Sequence, residues 1–283
     1  MEGYAYYNGG FGRRSEISVP LSDRAIFFGD AVYDAAVGSR GKIYQLGEHI
    51  ERFLGNAARL GFFPAPTYEE LEGILTEVAE RSGLETFFLY FQISRSKDTR
   101  SHSAGGCAGT NLLVTADEVT LPSFEKKLKL ILTEDKRYGY CDIKTVNLLP
   151  NVIYSTDADR SGADEAVLHR DGVVTECAHS NVSILKNGKL ITHPADSNIL
   201  PGITRKTLLS LCEELDVGYE ERPFTKEELI FADEVLITST SKFCLRAESV
   251  DGIAVGGKDP TAATLLCREM RLKYERFLAQ IDK

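Results

Sequence analysis

The sequence predicts an α+β protein of two domains, and three observations lead there. Its 283 residues suit one large or two modest domains and can bury most of their unfolded surface without a metal or disulfide staple. Segments of strand period and helix period are intermixed with no regular β-α-β alternation, which argues against a single doubly wound sheet. The apolar periodicity lapses between Asp117 and Glu125, around Leu121-Pro122-Ser123. That lapse divides a smaller part, residues 1–120, from a larger one, residues 121–283.

In the first part, Tyr4 to Asn8 and Ile17 to Val19 flank the turn signal Asn8-Gly9-Gly10 and are expected to pair as a hairpin. Ala31 to Val37 and Lys42 to Tyr44 form a second hairpin around Ser39-Arg40-Gly41. Ile50, Phe53, Leu54 and Ala57 then fall on one helical face, closed off by Pro64 and Pro66. Thr67 starts another helix: its hydroxyl can cap an open amide while Glu70 reaches back, with Leu71, Ile74, Leu75 and Val78 as the buried stripe. Phe87 to Ile93 and Leu112 to Thr115 read as strands. The second part opens with a strand near Leu128 to Leu132. It continues with three short strands joined by Arg170-Asp171-Gly172 and Asn187-Gly188, whose residues tolerate the positive φ of a tight turn. A helix follows Pro201-Gly202, carrying Leu208, Leu209, Leu211, Cys212 and Leu215. Thr225 and Glu228 form a capping box, Val235 to Thr238 a strand, and Pro260 to Gln280 a closing helix.

Composition removes several function classes. Hydrophobic residues at 43% and charged residues at 27% are ordinary globular values, so a disordered or fibrous chain is excluded. The net charge of −9, with no basic cluster, disfavours a nucleic-acid partner. No uncharged stretch reaches the ~18–20 residues that span a bilayer, and the first ten residues lack a signal-peptide pattern. Six cysteines, at 107, 141, 177, 212, 244 and 267, include no Cys-x-x-Cys pair, so no metal site is expected. A cytoplasmic protein with reduced thiols is the expectation. Phosphate-loop, nucleophile-elbow and His-Glu-x-x-His motifs are all missing from the sequence.

What remains is a set of dispersed groups, each with a plain reading beside a chemical one. Lys144 is either a solvated surface amine or, among Ile143, Val146 and Leu148, a desolvated nucleophile able to form a Schiff base. Glu176 at a strand end is either solvated or functional. Ile203 and Thr204 open a helix whose first amides suit an anion or water. Thr240, in Thr238-Ser239-Thr240-Ser241, offers a hydroxyl or simply makes a turn. Arg100 and His102 lie two apart on an extended segment and can point one way, toward a carboxylate, or pair by chance. Arg52, one position before the buried-face residue Phe53, reads by itself as a surface ion-pair partner.

Taken in order, these groups resemble the fold-type IV pyridoxal-phosphate enzymes, and among them most the D-amino acid aminotransferases. The resemblance rests on Phe28-Gly29-Asp30-Ala31-Val32-Tyr33-Asp34, His49-Ile50-Glu51-Arg52, Arg100-Ser101-His102, and Cys141-Asp142-Ile143-Lys144 through Asn147-Leu148-Leu149. It continues with Thr175-Glu176, Ser180-Asn181-Val182, Leu200 through Arg205 and Thr238-Ser239-Thr240, so it runs over nearly the whole chain.

The resemblance implies a two-domain enzyme with pyridoxal 5'-phosphate between the domains, transaminating D-amino acids and 2-oxo acids by a ping-pong cycle through the pyridoxamine-phosphate form. Lys144 would hold the cofactor aldehyde and shuttle the substrate proton, and Glu176 would pair with the ring nitrogen. Arg52, the amides of Ile203 and Thr204, and Thr240 would hold the phosphate. Leu200 would pack on the ring, with Ser180 and Asn181 in the surrounding network. Tyr33, Arg100 and His102 match the substrate-carboxylate trap of the D-specific members. A homodimer is implied, with small amino and oxo acids as partners. Aminodeoxychorismate lyases and branched-chain L-aminotransferases share this fold, Lys and Glu, and stand as alternatives; a noncatalytic scaffold would need no proton shuttle. Two positions depart from the family: Cys177 replaces the usual glycine after the glutamate, and His179 stands where a small hydroxyl residue is common.

Overall fold

A computed structural model describes residues 2–96, 100–107 and 109–281. The chain folds into two compact units. One comprises Met1–Thr120, Ile143–Asn147 and Phe277–Lys283; the other comprises Leu121–Asp142 and Leu148–Arg276.

The first unit is an antiparallel sheet covered by two helices. Its elements are β1 (Tyr4–Tyr7), β2 (Gly10–Arg13), α1 (Arg24–Phe28), β3 (Ala31–Ser39), β4 (Lys42–Ile43), α2 (Leu46–Arg59), α3 (Tyr68–Ser82), β5 (Thr86–Ser96) and β6 (Gly109–Glu118). The strand order is β2-β1-β6-β5-β3-β4. Strand β5 explains the layering. Phe87, Leu89, Phe91 and Ile93 are fully buried while Phe88, Tyr90 and Gln92 between them are only partly so, the period-two pattern of one core face. Against that face pack Ile50 and Phe53 of α2 and Leu71, Leu75 and Val78 of α3. Thr67 caps α3 in the reciprocal box with Glu70 that its spacing predicts.

The first hairpin differs from the sequence expectation. Asn8 (φ 46°) and Gly9 (φ 94°) alone form the turn, so Tyr7 pairs with Gly10 and the partner strand is Gly10–Arg13; Ile17 to Val19 lie beyond it. A two-residue turn with positive φ at both positions fixes that register, whatever apolar residues follow later.

The second unit holds β7 (Lys127–Glu134), α4 (Leu149–Arg160), β8 (Glu165–Arg170), β9 (Val173–Cys177), β10 (Asn181–Lys186), β11 (Lys189–Thr192) and α5 (Ile203–Glu214). It continues with β12 (Tyr219–Glu221), β13 (Phe224–Thr225), α6 (Lys226–Ile230), β14 (Glu234–Ser239), β15 (Phe243–Val250), β16 (Ile253–Ala254) and α7 (Pro260–Ile281). One mixed sheet runs β12-β11-β10-β14-β15-β7-β8-β9-β13, with β16 on β15. Val235 to Thr238 of β14 are all buried, a continuous run that marks a strand covered on both faces. Where three strands are expected around residues 165–192, four form. The amide of Cys177 donates to the Ser180 carbonyl (2.8 Å), folding residues 177–180 into an additional turn.

Sequence order puts Lys144 after the lapse at residues 117–125, yet its segment groups with the first unit. Thr145 bridges Val32, the amide of Tyr33 donates to the Lys144 carbonyl (2.9 Å), and Ile143 is buried in the first core. Residues 143–147 thus run beside β3, held by backbone hydrogen bonds that carry no sequence signature.

Candidate active site

Lys144 is half-buried, with Nζ 4.4 Å from the centroid of the Tyr33 ring. Tyr33 in turn stacks on Tyr90 (5.2 Å, 26°) across the β3–β5 pair. The amine therefore lies over an aromatic face, which attracts a cation. Burial and the neighbouring Tyr33 push the Tyr90 hydroxyl up, so it stays protonated and donates to Gln92 Oε1 (2.7 Å).

Asp34, next to Tyr33 on β3, points to the opposite, core-facing side, as strand alternation requires. It meets α2 there: Arg52 grips it through Nε and Nη2 (both 2.8 Å) and His49 through Nδ1 (2.8 Å). Burial alone would raise its pKa, but Arg52's charge and the hydrogen bonds from His49 and Arg52 hold the carboxyl well below the usual range.

Arg100 and His102 converge on one ring, Phe28, at 5.0 and 5.2 Å. Arg24 fastens this segment, donating to the carbonyls of Ser101 (2.5 Å) and His102 (3.1 Å) while Nε holds Asp30 (2.7 Å). Tyr33, the third of the group, packs against Lys144 and Tyr90.

In the second unit Glu176, one residue before the end of β9, is buried with donors on both oxygens. Arg137 Nη1 binds Oε1 (2.5 Å); Asn181 Nδ2 and the Leu200 amide bind Oε2 (3.0 Å each). Asn181 Nδ2 also reaches the Leu200 carbonyl (2.9 Å). Three predicted residues, Glu176, Asn181 and Leu200, thus come together, and the donor set favours an ionised carboxylate. Gly202 lets Asn181 approach: a Cβ there would lie 2.1 Å from Asn181 Oδ1. Gly202 is also the N-cap of α5 and has no side chain to cap the amides of Ile203 and Thr204. Thr240 lies in the turn that follows β14, and Thr238 Oγ1, buried near the end of that strand, has no hydrogen-bond partner among the described residues.

Ser180 points elsewhere. Its hydroxyl donates to the buried Glu165 (2.7 Å), which also meets Lys242 Nζ (3.0 Å) and His179 Nε2 (3.1 Å). Burial works to raise Glu165, but His179, Lys242 and Ser180 outweigh it and bring it down from 4.5 to about 2. A depressed carboxylate stabilises the fold fully above its unfolded value, and that contribution fades as pH falls from 4.5 toward 2. Glu165→Gln is expected to lower the melting temperature at pH 7 and to flatten the acid loss within this window. Melting curves from pH 7 to 2 check it; an unchanged slope between pH 4.5 and 2 would mean Glu165 does not carry that loss.

Cys177 is buried and is not among the positive-φ residues, so no glycine is needed where the family usually has one. Sequence reasoning missed Arg137, Asp135 and Glu165, which no motif marks. Asp34 was within reach, since strand parity places it with the buried Val32 and Ala36, where an acid must be paired. Among the described residues no cluster of three or more His, Cys, Asp or Glu could hold a metal, and no helix is long and apolar enough to cross a membrane.

Residues 31–250 match the family model described as amino-transferase class IV. The chain is 39% identical over 262 residues to the D-alanine aminotransferase of Bacillus licheniformis, covering 91% of this chain and 92% of that one. It is 35% identical over 272 residues to that of Staphylococcus haemolyticus, covering 95% and 96%. Among solved structures, the branched-chain aminotransferase of Thermoproteus uzoniensis with norvaline superposes at a TM-score of 0.86 and 22% identity, covering 96% of this chain and 94% of that one. A putative 4-amino-4-deoxychorismate lyase of Legionella pneumophila does so at 0.82 and 24%, covering 91% and 96%. At such identities the structural likeness establishes the fold alone.

Proposed function

Because this chain belongs to the class IV aminotransferases, we propose that it transfers amino groups between D-amino acids and 2-oxo acids with pyridoxal phosphate. The observation that carries the D-specific reading is that Arg100 and His102 both lie against the Phe28 ring, a guanidinium and an imidazole on one short segment, each able to donate to a carboxylate. The identity of 39% to a D-alanine aminotransferase supports it.

The residues present suit the cofactor. Its phosphate would be held by the amides of Ile203 and Thr204, which no side chain caps, and by Arg52 and the Thr240 hydroxyl. Its ring nitrogen would pair with Glu176, whose two oxygens both accept from donors, with Leu200 and Asn181 beside that carboxylate and Ser180, bonded to Glu165, in the surrounding network. When bound, pyridoxal phosphate supplies an aldehyde for amines and a ring that withdraws electrons. Glu176 would then keep a proton at the ring nitrogen. Lys144 Nζ would hold the aldehyde and would move the proton at the substrate α-carbon. Tyr33, Arg100 and His102 fix the substrate carboxylate, and that anchoring presents the α-hydrogen of one enantiomer to Lys144.

A homodimer and a cytoplasmic location belong to the same reading. Leu149, Val152 and Ile153 expose an apolar face of α4 suited to a second copy, and six free thiols suit a reducing compartment. Incubation with D-alanine and 2-oxoglutarate is expected to release pyruvate, with little from L-alanine or L-branched-chain substrates. Turnover confined to L-substrates, or pyruvate released only from aminodeoxychorismate, would overturn the assignment.

A further inference from the structure

We infer that Asp34 and His49 are positioning residues for the phosphate grip of Arg52, a role that rests on the reading of Arg52 as a phosphate ligand. Three adjoining facts carry it. Asp34 is fully buried and ionised on a strand face whose other members, Val32 and Ala36, are apolar. Its Oδ1 accepts from its neighbour's amide on Ala35, from His49 Nδ1 and from Arg52 Nη2, each at 2.8 Å, while Oδ2 accepts from Arg52 Nε at 2.8 Å. His49 and Arg52 lie one turn apart on α2, so strand and helix are clamped through a single carboxylate.

Packing alone does not account for an acid here. A buried ion pair contributes little more to stability than apolar groups of the same volume, so a side chain like Val32 would fill the site as well. What an apolar residue cannot do is orient a guanidinium. Arginine is a planar fork on a stem with many rotamers. Taking Nε and Nη2 bidentately fixes the plane of that fork and its roll about the stem. His49 does the same for the carboxylate, tying Oδ1 so that Asp34 cannot turn away. The rotamer freedom of Arg52 is thus lost on folding, before any phosphate arrives, and cofactor binding need not remove it.

The test is cofactor affinity with and without the phosphate group. Holoenzyme is stripped, then titrated with pyridoxal phosphate and, separately, with pyridoxal, following the visible absorbance of the bound form. Arg52→Gln is expected to weaken pyridoxal phosphate while leaving pyridoxal unchanged. Asp34→Asn is expected to raise the pyridoxal-phosphate Kd about tenfold, again leaving pyridoxal unchanged, and the double variant to bind no worse than Arg52→Gln. His49→Ala should weaken pyridoxal phosphate about threefold, and His49→Asn, whose amide can replace the Nδ1 donor, should restore it. If Arg52→Gln has no phosphate-specific effect, the reading of Arg52 itself fails. If it has one but Asp34→Asn binds pyridoxal phosphate like the parent, or weakens both compounds equally, the positioning role is wrong and Arg52 stands. Should Asp34→Asn not fold, the His49 pair decides in the same way: equal losses for both compounds, or no rescue by Asn, overturns the proposal.

Discussion

Lys144→Ala is expected to abolish the visible absorbance of bound cofactor and to lower transamination by about a thousandfold or more. Two roles fall on this amine in the proposed reaction, covalent anchorage and proton transfer, and a positioned acid or base alone contributes ~10²–10⁴ in rate. The amine's surroundings make the substitution mild for the fold. Lys144 rests half-buried on the Tyr33 ring and is held in the first unit through its backbone carbonyl, which alanine keeps. The measurement is an absorbance spectrum beside a coupled pyruvate assay, with melting temperature as control. A variant that retains the band and turns over D-alanine would show that another lysine carries the chemistry.

Arg137→Met should have the largest effect on stability. Its guanidinium, almost wholly buried, donates through Nε and Nη2 to Asp135 (2.9 Å each) and through Nη1 to Glu176 (2.5 Å). Burial opposes its charge, but the two carboxylates outweigh that and raise its proton affinity further. Removing it takes from two buried acids the cation they share, an outcome that costs about 3–5 kcal/mol. Asp135 keeps Arg170 and Thr175 as partners, so Glu176 loses the greater share of its support. The variant should therefore melt on the order of 10 °C lower. It should also bind cofactor with an altered ring spectrum, as Glu176 is free to turn or take up a proton. Arg137→Lys, which keeps the charge but not the fork, should recover stability more than spectrum. A Met variant as stable as the parent would show that Asp135 and Glu176 do not depend on Arg137.

Much of the fold is legible where local chemistry decides it. Thr67 with Glu70 and Thr225 with Glu228 form the capping boxes their spacing implies. Asp171-Gly172 and Asn187-Gly188 take the positive φ their hairpins need. Legibility fails where long-range contacts decide. Helix α4 turns its apolar stripe outward: Leu149, Val152 and Ile153 are exposed, and only Tyr154 and Ala158 are buried. Strand β15 escapes a reading by pattern because Phe243 to Val250 includes Arg246 and Glu248, polar residues that mask its pairing with β14 and β7. At the site, Glu176, Asn181 and Leu200 could be found because they stand in ordered motifs. Arg137 could not, since an arginine 39 residues upstream of the acid it holds has no spacing rule to announce it. Ser180, placed by resemblance in the cofactor network, bonds to Glu165, a residue with no motif of its own.

The short run 143–147 beside β3 bears on how such enzymes can be recombined. A chimera cut between residues 120 and 121 would inherit Lys144 from one parent and its backbone neighbours, Ala31 to Tyr33, from the other. Crossovers that leave 31–33 and 143–147 from the same ancestor should therefore yield more working hybrids than those respecting chain order alone, a bias that sequencing of a shuffled library would reveal.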